Sequence, residues 1–418
     1  MARIIPYATI IDGESEKHTG ERARGVEIRE IPGGVAALCA RLRSAGREAY
    51  PVGGCVRDLL LGRTPGDWDV TTSARPEEVM ALFERTVPTG IKHGTVTVLT
   101  GAGGVEVTTF RAEGGYADGR HPDAVTFGGD LAGDLSRRDF TINAMALGPD
   151  GAVIDPFGGR ADLKAGLIRC VGEPERRFGE DALRMLRAVR FSAQLDFAIE
   201  GATAEALRKS AGLTARLSAE RVRAELEKTL LAPWPERGEG LFAWGLLAAF
   251  AGPEARPDLT TLHRVPARPL ERWAALCALL LDGGSIPGAE GFLKALRLDG
   301  RTVRACAAGA ELFKAMPQTA AGWRRALAER GEDACAAAAS MGDALTGGAY
   351  TRGLRDTLEE GGCRSVRALA LSGGDLLAMG YHGADIGAAQ RRLLDHVLDH
   401  PEDNRPERLK ELLKRNEG

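Results

Sequence analysis

Two aspartates separated by one residue, Asp67-Trp68-Asp69-Val70, stand where a helix-like stretch, Val56 to Gly62, and a Pro65-Gly66 turn give way to a β-rich run. Alternate residues of a strand face the same way, so the spacing predicts both carboxylates on one side, with Trp68 and Val70 packed on the other. Carboxylate pairs of this kind suit hard cations of the Mg²⁺ type. Two such cations about 3.5 to 4 Å apart can activate an attacking hydroxyl and stabilise a departing pyrophosphate in an in-line displacement. A D-x-D standing alone is more often a solvated strand end.

Its surroundings add to it. Upstream, Gly53-Gly54-Cys55-Val56-Arg57-Asp58 follows the apolar Tyr50-Pro51-Val52. Two glycines there let backbone approach a triphosphate at the opening of a helix, and Arg57 adds a cation, although a strand-to-helix turn alone would also use them. Downstream, Glu106 shares a strand face with Thr108, and on the residues alone it reads as an exposed strand glutamate.

A third group begins near Glu180-Asp181, where the pattern predicts a helix. Asp181 and Arg184, three apart, fall on one face, and Arg187 and Arg190 continue the stripe. A carboxylate beside a guanidinium can copy a Watson–Crick edge: Asp181 accepts from the exocyclic amine of C or A, while Arg184 donates to ring acceptors. Uracil and guanine present the opposite order. Arg187 and Arg190 would then meet the triphosphate. The competing reading is a solvated arginine stripe with an i,i+4 ion pair from Glu180 to Arg184.

The elements that must position these residues divide the chain by composition. From Tyr50 to about Leu147, the β-rich runs WDVTTS, GTVTVLT, VEVTTF and AVTFGG alternate with turn signals, and a helical stretch, PEEVMALFERT, lies between the first two. After Asp155-Pro156-Phe157-Gly158-Gly159 the sequence is dominated by Ala, Leu, Arg and Glu at helical spacing. The expected fold class is α+β: an extension over residues 1–30, a mixed α/β head over 31–155, then an all-α neck (156–232), body (233–345) and tail (346–418).

The stretch from Gly53-Gly54 through Arg57-Asp58 to Asp67/Asp69 resembles the opening signature of the DNA polymerase β-like nucleotidyltransferases. More narrowly, it resembles the class II tRNA nucleotidyltransferases and bacterial poly(A) polymerases. The segments PTGIKHGTVTV, VEVTTFR, DLSRRDFTINAMAL, DPFGGRADL, GEDALRMLRAVRF and ERVRAELEKTL follow in the family's order, over about residues 50 to 230.

The resemblance implies that Asp67 and Asp69 bind Mg²⁺, with Glu106 a further candidate carboxylate, and that Gly54 and Arg57 serve the nucleotide. It also implies that Arg138 contacts the incoming nucleotide, that Asp139 and Asn143 shape the ribose pocket, and that Asp181 and Arg184 choose the base. For Arg137 to Asn143 a basic helix start beside an aspartate cap is the plainer alternative. The implied partners are CTP, ATP and the 3′ end of tRNA.

Members of the family build CCA, only CC, only A, or poly(A). Glu113 to Pro122 looks like the loop that CC-only members lack, with Glu113 where an aspartate is common. PTGIKHGTVTV and the tail from Ser372 to Pro401, whose paired glycines could seat phosphates, resemble the CCA type. No His-Asp dipeptide of the phosphohydrolase domain carried by some relatives occurs. A tRNA-binding protein without catalysis is the alternative from another class.

Composition bounds these readings. With 418 residues, 44% of them apolar and 27% charged, the chain is expected to be multidomain and globular. No apolar run reaches the roughly 18 residues of a membrane span, and the amino-terminal residues lack a basic start with an apolar stretch, so a cytoplasmic location is expected. The net charge of −3 means that affinity for a polyanion must come from local clusters, such as Arg405, Arg408, Lys410, Lys414 and Arg415. Seven scattered cysteines read as reduced apolar residues.

Overall fold

A computed structural model describes residues 31–101, 103–111 and 128–415. The expected extension and the Glu113 to Pro122 loop lie outside the described residues. The chain forms two compact units, the first ending at Leu163 and the second beginning at Lys164.

The first unit is built on a five-stranded mixed sheet. Its elements are α1 (Gly33–Ser44), β1 (Ala49–Pro51), α2 (Gly54–Leu60), β2 (Asp69–Thr72), α3 (Pro76–Leu82), β3 (Thr86–Gly90), β4 (Thr95–Thr100), β5 (Gly103–Thr109) and α4 (Leu131–Ser136), followed by the short strands β6 (Ala146–Leu147) and β7 (Val153–Ile154) and by α5 (Gly159–Ala165). The strand order is β1-β2-β5-β4-β3, with β2 and β5 parallel and the other pairs antiparallel.

Alternation along the strands gives the sheet two unlike faces. Val70, Val96, Val98, Val105 and Val107 are buried on one, where α1 and α3 pack. Helix α1 presents Val35, Leu38, Cys39 and Leu42 at helical spacing to this core. Asp69, Thr71, Thr95, Thr97, Glu106 and Thr108 occupy the other face, where Thr95 and Thr108 exchange a hydroxyl hydrogen bond of 3.1 Å.

Two local expectations are corrected. The helix read over PEEVMALFERT stops at Leu82, because Phe83 is extended and the β-branched Thr86-Val87 pair joins the sheet edge as β3. Asp67 lies in a bend just ahead of β2, which begins at Asp69. The alternation nevertheless runs through the bend, since Trp68 and Val70 are buried while Asp67 is exposed.

Close backbone packing carries the first unit through Leu163. Thr141 Oγ1 donates to Asp162 Oδ2 (2.6 Å), and the Gly159 amide donates to Asp155 Oδ1 (2.7 Å). A Cβ on Gly159 would stand 2.3 Å from the Thr141 carbonyl oxygen. Gly159→Ala is therefore expected to destabilise this unit by about 3 kcal/mol, read as a lowered urea midpoint; an unchanged midpoint would mean that α5 can shift at no cost.

The second unit is helical. The strand pair β8 (Leu167–Ile168) and β9 (Ala198–Ile199) flanks α6 (Pro174–Glu180) and α7 (Leu183–Leu195), followed by α8 (Gly201–Ser210) and α9 (Ala219–Leu230). Helices then continue to Arg415, the last ones closing on a core of Leu371, Leu376, Leu393, Val397, Leu409 and Leu413. Gly373 and Gly374 form the first turn of a helix and not a free turn, with Ser372 and Asp375 capping its amides reciprocally.

All seven cysteines are free and buried, as their scattering suggests, and burial raises the Cys55 thiol to about 11. Among the described residues no helix is long and apolar enough to cross a membrane.

Candidate active site

Asp69 opens β2 and pairs in register with Glu106 on parallel β5. Register partners on adjacent strands share a face and stand about 5 Å apart, so two carboxylates meet at the rim of the threonine-lined surface, with Asp67 two residues ahead. Burial, above all, raises the Asp69 carboxyl above the usual aspartate range; the Arg138 guanidinium pulls it back, and the charges of Glu106 and Asp67 push it up again. Three mutually repelling carboxylates supply only oxygen donors, a set that fits a hard divalent cation and is relieved by one. Among the described residues no group of three or more His, Cys, Asp or Glu stands at ligand spacing.

This arrangement has a consequence for stability. A carboxyl whose folded pKa exceeds its unfolded value contributes stability at low pH, and that contribution is lost as the pH rises through the folded value. At neutral pH without divalent cation, Asp69→Asn should therefore melt no lower than the unaltered chain. Added Mg²⁺ should raise the melting temperature of the unaltered chain and leave the variant's unchanged; equal Mg²⁺ shifts in both would remove Asp69 from the metal site.

Beside the carboxylates, Gly53 precedes α2 with φ +81° and ψ −130°, a conformation closed to other residues. A Cβ there would lie 2.7 Å from Arg138 Nη1, so the bare backbone is what lets the guanidinium lie across it. Gly54, the glycine picked from the sequence, is helical, and its Cβ would make only an ordinary 3.6 Å contact with Arg57. The steric demand falls on Gly53.

Arg57 is held at both ends: Nε donates to Asp58 Oδ1 (2.9 Å) and Nη1 to Asn143 Oδ1 (2.7 Å). Asn143 Nδ2 in turn donates to Asp139 Oδ1 (3.1 Å), which also accepts from the Phe140 amide (2.8 Å). Asp139 and Asn143 are buried, so Asp58, Arg57, Asn143 and Asp139 form one polar chain that fixes the turn Thr141–Asn143. Arg138 reaches from this segment to Asp134 (3.5 Å).

In the second unit the expected helical stripe is corrected. Asp181 is extended, with φ −149°, and lies between α6 and α7. Its Oδ1 accepts from the Leu183 amide (3.0 Å), the local bond by which an aspartate ends one helix and opens the next. Asp181 pairs with Arg221 on α9 through both carboxylate oxygens (3.1 and 2.9 Å), not with Arg184.

Arg184 donates to Glu180 Oε2 (2.7 Å) and to the Arg177 carbonyl (3.1 Å), so the i,i+4 ion pair is the one that forms. Arg187 lies 5.3 Å over the Phe191 ring. Arg190 turns inward, 4.3 Å over the same ring and 3.2 Å from Glu225, and both partners of that pair are buried. The inward turn joins α7 to α9.

Comparison with known proteins decides the family. Residues 49–169 match the poly A polymerase head domain, and residues 196–259 match the probable RNA and SrmB-binding site of polymerase A. The CCA-adding enzyme of Geobacillus stearothermophilus is 40% identical over 369 residues, which is 86% of this chain and 90% of that enzyme. The chain belongs to the CCA-adding enzyme family. The CCA-adding enzyme of Limosilactobacillus fermentum is 39% identical over 370 residues, 87% of this chain and 91% of that enzyme. The crystal structure of the Bacillus stearothermophilus CCA-adding enzyme in complex with CTP matches with a TM-score of 0.79 and 36% identity, covering 91% of this chain and 96% of that one. CCA-adding enzymes are metal-dependent nucleotidyltransferases, in accord with the carboxylate rim of the first unit.

Two residues that contact expected site residues were not singled out in the sequence, Arg221 beside Asp181 and Asp134 beside Arg138. Arg221 was visible only as part of ERVRAELEKTL; forty positions separate it from Asp181, and no periodicity links them. Asp134 carried a usable signal, the i,i+4 spacing to Arg138.

Proposed function

We propose that the chain completes the 3′ end of tRNA, adding C, C and A from CTP and ATP without a nucleic-acid template. The observation that carries this reading is the in-register pair of Asp69 and Glu106, with Asp67 just ahead and the Arg138 guanidinium alongside. Asp67 and Asp69 are the proposed ligands of Mg²⁺, with Glu106 a further carboxylate on the same face. Bound there, Mg²⁺ supplies Lewis acidity to the attacking 3′ hydroxyl and the departing pyrophosphate. No covalent enzyme intermediate is needed.

The chain's own groups hold the substrate. Arg138, laid over Gly53, offers a fixed cation to the triphosphate, and Gly54 opens α2 next to it. Arg57 keeps the Asn143 amide in place, and Asp139 and Asn143 face the sugar. In the proposed division, residues 156–232 form a neck that selects nucleotides, 233–345 a body and 346–418 a tail that grips tRNA. Asp181 and Arg184 read the amine and the ring acceptor of C or A, on exchanging Arg221 and Glu180 for the base. Arg187 and Arg190 were expected at the triphosphate; Arg187, the more exposed of the two, is the better suited. The substrates support a cytoplasmic location.

Asp181→Ala is expected to lower the preference for CTP and ATP over UTP and GTP by about 10²-fold in single-turnover incorporation. Unchanged selectivity would remove Asp181 from base reading. The intact carboxylate pair argues against a tRNA-binding protein without catalysis.

A further inference from the structure

We infer that Asp134 is the positioning residue for Arg138, setting the guanidinium that the proposed reaction uses; this rests on the nucleotidyltransferase reading above. Asp134 sits on α4, 3% exposed. Its Oδ2 accepts from Thr71 Oγ1 at 3.1 Å and pairs with Arg138 Nη2 at 3.5 Å. Thr71 stands two residues beyond Asp69 on β2, on the same sheet face. One carboxylate oxygen thus ties the strand that presents Asp69 to the guanidinium whose charge acts on Asp69.

The placement of Arg138 is otherwise underdetermined. A guanidinium on a long side chain has many rotamers, and each must be restrained for the charge to stand at one point. Two restraints are present: Asp134 at Nη2, and the bare Gly53 backbone beside Nη1, 2.7 Å from where a Cβ would be. The Arg138 side chain remains 23% exposed. Asp134 is buried with two partners because an unpaired carboxylate there would be costly; of the two, only Arg138 cancels its charge.

The test uses the full chain, tRNA transcripts lacking CCA, and CTP. Asp134→Asn keeps the shape and can still accept from Thr71, but loses the charge. It should raise KM for CTP roughly tenfold, with a smaller fall in kcat and an unchanged melting curve. In an Arg138→Ala background the same substitution should have no further effect, which a merely structural role for Asp134 would not produce. Thr71→Val should act in the same direction to a lesser degree, again only when Arg138 is present, and it decides the matter if the Asn variant does not fold. An unchanged KM, or an equal loss with and without Arg138, overturns the inference. If the unaltered chain incorporates nothing, the proposed function fails, and calorimetric CTP binding by the same variants still judges the positioning role.

Discussion

Asp67→Asn and Asp69→Asn should each reduce nucleotide incorporation by at least about 10³-fold while leaving the fold intact. Each change removes a charged oxygen donor from a rim that carries three carboxylates while keeping the shape of the side chain, and Asp67 is exposed. The two aspartates differ in environment. Asp69 is the more enclosed, pairs in register with Glu106 and feels Arg138, whereas Asp67 precedes the strand. Asp69→Asn should therefore be the more severe of the two. Glu106→Gln separates a ligand from a bystander: a loss approaching that of the aspartates makes Glu106 a third ligand, and a change under about threefold makes it an exposed strand residue. Activity near that of the unaltered chain in both Asp variants would place the chemistry elsewhere.

Gly53→Ala should combine a local strain with a loss of function. The backbone at φ +81°, ψ −130° lies outside what an L side chain adopts, at a cost of roughly 1 to 3 kcal/mol. The new methyl would also enter the space of Arg138 Nη1. Displaced, Arg138 no longer offers its charge beside Asp69, and incorporation is expected to fall by about 10²-fold, mainly through KM for the nucleotide. Gly54→Ala is the control, because its Cβ finds ordinary contact distances and the residue is helical; its loss should be small. Equal effects at the two glycines would mean that the turn tolerates a side chain and that the Arg138 geometry is not what Gly53 protects.

The contrast between the glycines shows where the sequence was legible. Two consecutive glycines after an apolar run announced a tight turn, but which one adopts positive φ depends on the Gly53 amide bonding to the Met145 carbonyl and on Arg138, both about ninety positions away. The carboxylate pair and the two faces of the sheet were readable because strand alternation is local: Trp68 and Val70 are buried, and Asp69 and Glu106 share the opposite side. The fold class followed from the change from β-branched runs to Ala, Leu, Arg and Glu, and the structure has that division, with the sheet in the first unit and helices through the second.

The neck misled for the same physical reason. Helical spacing alone placed Asp181 and Arg184 on one face, yet an aspartate that accepts its own downstream amide ends the helix there, and Arg221 arrives from α9. Arg190 looked like the next member of an exposed stripe, whereas Glu225 and Phe191 draw it inward. Neither partner is near in sequence. The expectation for those residues rests on the order of motifs over the first half of the chain, which is far more specific than any single pair.

The most direct measurement is incubation of the purified chain with Mg²⁺ and tRNA transcripts ending before CCA, after C and after CC, supplied with CTP, ATP or both. The account requires C, C and A to be added in order, with arrest after the final A and no incorporation of UTP or GTP. CC alone, A alone or an unbounded A tail would move the chain to a sister activity of the family. Tight tRNA binding with no incorporation under any of these conditions would contradict the account outright.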